Sequence, residues 1–218
     1  MRIAIDAREL SGKPTGVGRY LAGLLREWTG RGSQRGHGHA ITLYSHREVA
    51  WAADRCPVRV VPGSGGTLWE QRALRAAIAA DAADVLFSPA YSTPLFTRVP
   101  RVVALHDISF AARPDWFHWR EGLRRRTLAR RSAAAARAVV TISEFSRGEI
   151  VNRFGVDRHR IHVIPPGIDR PAPETRHNTD GRRHLLYVGS IFNRRHMPEL
   201  IEAFGLLARR RPDTHLHI

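Results

Sequence analysis

The chain has 218 residues, with 35 Lys and Arg against 20 Asp and Glu, a formal net charge of +15. A single cysteine, Cys56, excludes a disulfide framework and a metal site built on several thiolates, and it fits a reducing compartment. No apolar run approaches the roughly 20 residues that a membrane span requires, and Met1-Arg-Ile-Ala-Ile-Asp6 runs straight into a strand without the pattern of a signal peptide.

Lys13 is the only lysine, and arginine is spread over the whole chain beside abundant alanine. Such a surplus can attract nucleic acid, anionic lipid or phosphorylated substrates. No nucleic-acid module or basic-aromatic repeat is present, so no specific nucleic-acid partner is expected.

Residues 2–6 predict a short strand with Asp6 at its carboxyl end. A loop with Gly12, Pro14, Thr15, Gly16 and Gly18 follows, and then Val17, Tyr20, Leu21, Leu24, Leu25 and Trp28 recur along one helical face. The glycines therefore open an amphipathic helix, where free backbone N–H groups and the helix dipole favour an anion. The alternative is a glycine loop that only turns the chain. The dinucleotide fingerprint is absent, because Leu21 stands where its third Gly is needed; so is the P-loop, with Ala7 and Pro14 at two of its defining positions.

Residues 30–39 read as a mobile surface loop. Strands are predicted at 41–45 and 58–61, with a helical stretch over 47–53 between them. The Gly63-Ser-Gly-Gly66 run precedes a helix from Leu68 to Ala80; a strand over 85–88 and a Pro-rich connection from Tyr91 to Pro100 follow. Alternating β and α elements predict a parallel sheet with helices on both faces.

The next strand, 101–106, ends on His106-Asp107. Functional side chains of open α/β sheets collect at strand carboxyl ends. His106 could donate a hydrogen bond, handle a proton near neutral pH, or simply cap the strand and pair with Asp107. From Pro114 to Arg137 one long helix is expected, carrying Trp116, Phe117, Trp119, Leu123 and Leu128 among six arginines from Arg120 to Arg131. Its arginines do not segregate from its aromatics, so the expectation is packing against the sheet with guanidiniums reaching solvent; the alternative is contact with an anionic membrane surface.

Residues 138–142 predict another buried strand, with Ser143 as a helix N-cap and Ser146 in the first turns after it. The last strand of this half is 161–164. A polar stretch then acts as interdomain linker, giving a first domain over 1–165, a linker over 166–183 and a second domain from 184. That second domain opens with a buried strand over 185–188, a turn at Gly189, the paired cations Arg194 and Arg195, and a helix with Pro198 in its first turn. The closing residues 214–218 look like a strand just starting, so the chain is expected to be the first part of a longer protein.

Five motifs occur in one order: Thr15-Gly16-Val17-Gly18-Arg19-Tyr20, His106-Asp107, Thr141-Ile-Ser143-Glu-Phe-Ser146, Ile164-Pro-Pro-Gly167-Ile-Asp169, and Tyr187-Val-Gly189 with Arg194-Arg195. Together they resemble the GT-B glycosyltransferases of family 4, retaining enzymes that use nucleotide sugars. The resemblance implies an α/β fold of GT-B type: a Rossmann-like acceptor-side domain and the start of a Rossmann-like domain for the sugar nucleotide. It implies His106 and Asp107 as catalytic residues. Gly16, Gly18, Arg19, Ser143, Arg194 and Arg195 would be the donor and phosphate contacts, with no metal and no cofactor beyond the nucleotide-diphosphate sugar as co-substrate.

The implied partners are a nucleotide sugar and a sugar, glycan or lipid-linked acceptor, in the cytoplasm or peripherally at its membrane face. Three features depart from the family pattern. Arg195-His196 stands where Lys-Asn or Lys-Gly is usual, Ser190 where many relatives have Arg, and the pair of donor-binding glutamates would lie beyond Ile218. The fragment itself is expected to be inactive. Two other functions fit the same architecture: a non-catalytic module that binds polyanions or a membrane surface, and a sugar-nucleotide epimerase.

Overall fold

The computed structural model of the chain describes residues 1–13, 16–30, 38–49, 56–168, 182–189 and 195–218. Two compact units are present, Met1–Gly167 and Ile168–Ile218. In the first, seven strands form one sheet: β1 (Arg2–Asp6), β2 (Ala40–Ser45), β3 (Val58–Val60), β4 (Val85–Ser88), β5 (Arg101–Ala104), β6 (Ala138–Thr141) and β7 (Ile161–Val163). Their order is β3-β2-β1-β4-β5-β6-β7, and every neighbouring pair is parallel. The order reverses between β1 and β4, and in doubly wound sheets the crevice outside the carboxyl ends at that point is where ligands bind.

The strands are short and largely buried, as two helical layers require. Ile5, Leu43, Val103 and Val139 are fully buried. On one face α1 (Gly16–Thr29) inserts Leu21 and Leu25 beside Ile5 and Leu43. Further along, α4 (Trp119–Ala135) and α5 (Glu144–Phe154) close a core around Val103, Leu105, Val139 and Ile150. On another, Leu74 and Ile78 pack with Tyr44 and Leu86.

Several elements differ from the sequence reading. The helix expected over 68–80 runs as a wide π-helical segment over Trp69–Leu74 before its α-helical part, α2 (Arg75–Ala80). Residues 47–49 are not helical, and the rest of that expected stretch lies largely outside the described residues, as does most of the loop at 30–39. A short helix, α3 (Ser109–Ala112), intervenes after β5, and the long helix begins at Trp119 after a separate turn at Pro114–Trp116.

The α4 helix packs against the sheet, as expected, and does so through small side chains. Its buried residues are the small ones, Gly122, Ala129, Ser132 and Ala133, while Trp119 is 66% and Leu123 49% exposed. Small residues let the helix lie close to the sheet, which leaves no room beneath it for an indole.

The second unit pairs β8 (Arg183–Leu186) in parallel with β9 (Thr214–His217) and carries α6 (Met197–Arg210), with Pro198 in its first turn. The strand is therefore two residues earlier than the expected 185–188. It is exposed throughout, because two strands and one helix cannot cover both faces of a sheet.

Candidate functional site

His106 lies two residues beyond β5, and three contacts hold its backbone and that of Leu105 before it. Leu105 N–H donates to Val140 O at 2.8 Å. The Thr141 hydroxyl donates to Leu105 O at 2.7 Å, and the Ser146 hydroxyl donates to His106 O at 3.1 Å. Ser143 makes the last contact possible. It is the N-cap of α5, its Oγ accepting from Ser146 N–H at 3.1 Å. Ser143 thus stands one step behind the histidine, through the turn that carries Ser146.

The imidazole ring is half-buried between two tyrosines, edge-on to Tyr20 at 4.7 Å and to Tyr91 at 5.8 Å between centroids. Its Nε2 lies 3.0 Å from Pro89 O. A carbonyl oxygen only accepts, so Nε2 carries the hydrogen and donates it. Burial pulls the pKa of the ring below its ordinary value, against the smaller opposing effects of the Pro89 hydrogen bond and the Asp107 charge. A neutral ring protonated at Nε2 presents Nδ1 as a lone-pair acceptor, suited to receive a hydroxyl hydrogen bond.

Tyr20 comes from α1, which begins at Gly16. Gly18 is buried, Arg19 is exposed, and a Cβ placed on Gly16 would meet nothing within 4 Å. The room at Gly16 is open to whatever approaches the helix N-terminus. Asp107 is exposed and accepts from Ser109 N–H at 2.9 Å, which caps the turn into α3. Arg195 is exposed in the second unit, and Arg194 lies outside the described residues. His106, Gly16, Gly18 and Ser143 belong to one unit and to the carboxyl edge of its sheet.

A second cluster at this edge was not singled out in the sequence. Arg8, just past β1, donates to Asp6 through Nε (2.9 Å) and Nη2 (2.6 Å), to Glu70 through Nη2 (2.5 Å) and to Gly65 O through Nη1 (2.9 Å). Glu70 also accepts from the Ser92 hydroxyl (2.5 Å) and from Gln71 Nε2 (2.6 Å). Burial alone would lower the pKa of Arg8, but Asp6 and Glu70 outweigh it and hold the guanidinium above its ordinary value. The π-helical segment aims Glu70 inward, consistent with the use of such wide turns at functional sites. Gly65 is left-handed (φ +70°) and a Cβ there would strike the His46 ring at 2.7 Å, so this position must be glycine to bring its carbonyl to Arg8.

Arg8, Glu70, Ser92 and Tyr91 line a cleft of about 470 Å3, closed on another side by Arg124 and Leu128 of α4. Tyr91 thus separates this cleft from His106. The only sequence signal for the cluster is a charged pair, Asp6 and Arg8, at a strand end; its partner Glu70 is 62 residues away.

Solved structures match the chain over nearly its full length. Anabaena HepE, crystallised with UDP and glucose, matches with a TM-score of 0.66 at 20% identity over 99% of this chain and 60% of its own. A protein from Listeria monocytogenes described as a UDP-N-acetylglucosamine 2-epimerase matches with 0.56 at 11% identity, again over 99% of this chain and 60% of the other. At such identities the likeness establishes the fold, α/β of GT-B type.

The model of Glycosyltransferase Family 4 matches residues 14–170, and the chain belongs to that family. The D-inositol 3-phosphate glycosyltransferase of Pseudarthrobacter chlorophenolicus is 37% identical over 93 residues, 38% of this chain and 22% of that protein. Its counterpart from Paenarthrobacter aurescens is 33% identical over 79 residues, 32% of this chain and 19% of the relative. The chain spans about 60% of the solved relatives and aligns with about a fifth of these curated ones.

Proposed function

We propose that the protein is a retaining glycosyltransferase that moves a sugar, mannose or glucose, from a nucleotide-diphosphate sugar to a polysaccharide, glycolipid or related acceptor. Family membership supports the reaction class. The observation that carries the mechanism is the neutral, Nε2-donating His106 wedged between Tyr20 and Tyr91 at the carboxyl edge of the sheet. In this reading residues 1–165 take the acceptor in the cleft beside Glu70 and Ser92, residues 166–183 link, and residues from 184 begin the sugar-nucleotide half.

Breaking the bond between anomeric carbon and phosphate leaves negative charge on the diphosphate. Amides at the start of α1, with Gly16 and Gly18 allowing close approach, would stabilise it together with Arg194 and Arg195. Arg19 would add charge, and Asp107 and Ser143 would set the backbone that carries His106. His106 Nδ1 would accept a hydroxyl of the sugar and position it, a role that needs no change of protonation. Fixed cations take the place of a metal. The setting is the cytoplasm, and the acceptor is a sugar, glycan or lipid-linked sugar.

Residues 1–218 alone are expected to transfer nothing from a panel of sugar nucleotides, because among the described residues the second unit holds two strands and one helix, β8, β9 and α6. The test is done in a longer protein that joins these residues to a complete sugar-nucleotide half. There, His106→Ala and Arg194→Ala should each lower kcat at least about a hundredfold, the scale of losing one positioned charge stabiliser. Gly16→Ala should lower turnover while leaving the melting temperature unchanged, since its Cβ meets open space. Near-normal rates in all three, or a sugar nucleotide isomerised without consuming acceptor, would sink the proposal.

A further inference from the structure

Tyr91 adopts a backbone conformation that its side chain disfavours. Its φ is +63°, in the left-handed region, and Ser92 N–H donates to Ala90 O at 2.7 Å, which closes a γ-turn centred on Tyr91. A γ-turn with positive φ at its centre is the rare, strained form, and a bulky residue there is an outlier where glycine would meet no steric conflict. The fold pins the turn on both sides of the strain. Tyr91 N–H donates to Ala104 O, the last residue of β5, at 3.1 Å, and the Ser92 hydroxyl donates to Glu70 at 2.5 Å. Strain that the surroundings over-determine in this way collects at functional sites.

Residues 89–92 join the acceptor cleft to the histidine. Pro89 O takes the His106 Nε2 hydrogen at 3.0 Å, and Ser92 holds Glu70. Between them the Tyr91 ring stands edge-on to His106 at 5.8 Å and to Phe110 at 5.9 Å, and it lines the cleft of Glu70 and Ser92. We propose that Tyr91 is a positioning residue of sugar transfer, its ring forming the shared wall that sets the acceptor against the sugar held at His106 and keeps water out of the acceptor's place. The role rests on the glycosyltransferase reading above. In transfer the bond from anomeric carbon to diphosphate oxygen breaks with its electron pair left on the diphosphate, the acceptor oxygen bonds to that carbon, and the hydroxyl proton passes to the diphosphate. With water in the acceptor's place the same exchange releases free sugar. A ring that fills the space and is fixed by a strained turn favours the first outcome over the second.

The test has two arms. In the 218-residue chain, Tyr91→Gly should melt above Tyr91→Ala, although both lose the ring and glycine has the greater freedom in the unfolded chain, because only glycine accepts the positive φ without strain. In the longer protein, Tyr91→Gly should lower transfer about tenfold or more, raise KM for the acceptor, leave KM for the sugar nucleotide unchanged, and raise the fraction of donor lost to water as free sugar. Tyr91→Phe, which keeps the ring, should retain transfer and the low hydrolysed fraction. Tyr91→Gly with the unaltered rate and hydrolysed fraction would overturn the role of Tyr91 while leaving the glycosyltransferase reading in place. A Tyr91→Ala chain that melts as high as Tyr91→Gly would overturn the strained turn as the device that fixes the ring. No transfer by the unaltered longer protein would sink both this role and the reading beneath it.

Discussion

Glu70 has three partners and almost no contact with water, being 1% exposed. Arg8, Ser92 and Gln71 satisfy its oxygens, and Arg8 in turn is shared with Asp6. A buried ion pair of this kind costs more to break than it gains in forming, because the partner is left charged and dry. Glu70→Gln keeps the shape and removes the charge, and it should destabilise the protein by about 3 kcal/mol in urea denaturation; a loss under about 1 kcal/mol would mean that Asp6 alone balances Arg8. His106 is a contrasting case. Its position at a strand end is readable from the sequence, but its neutrality and its Nε2 hydrogen follow from Tyr20 on α1 and from Pro89 and Tyr91 in the connection after β4, two stretches distant from it in the chain.

Among the elements, α5 is the one whose start is most completely written in its sequence. Ser143 holds the extended conformation as N-cap, and Gly155 ends the helix in the left-handed conformation at φ +68°. Because this N-terminus also supplies Ser146 to the His106 carbonyl, Ser143→Ala should cost about 1 kcal/mol of stability by thermal unfolding. It should also lower turnover in the longer protein, whereas an unchanged rate would separate the cap from the site. The α4 helix shows the opposite. Its tryptophan and leucines look like a packing face, yet Ala129, Ser132 and Ala133 occupy the core. Helical spacing alone does not say which face a sheet will take when close approach favours the small residues.

For the molecule as a whole, two half-buried histidines tie stability to pH. His106 and His46 both have pKa values lowered in the folded state, chiefly by burial, and for His46 also by the charges of Arg47 and Arg8. A depressed folded pKa means the unfolded chain binds more protons, so the contribution is complete above the ordinary value of 6.5 and is lost as pH falls below it toward the folded pKa. The melting temperature should therefore drop as the pH falls below about 6.5, and His106→Asn should make that drop shallower. An equal drop in the variant would assign it to other groups.

Local matters are legible in the chain alone: alternating β and α elements, the helix opening at Gly16, the cap at Ser143, and the motifs that mark Glycosyltransferase Family 4. These depend on residues near one another in the chain, where turn chemistry, capping and periodicity act directly. Folding is what brings Glu70 to Arg8, sets Pro89 against His106 to fix one tautomer, and turns the indole of α4 outward. Each depends on contacts between segments many residues apart, and the strand order that brings them to one edge is not encoded in any single stretch.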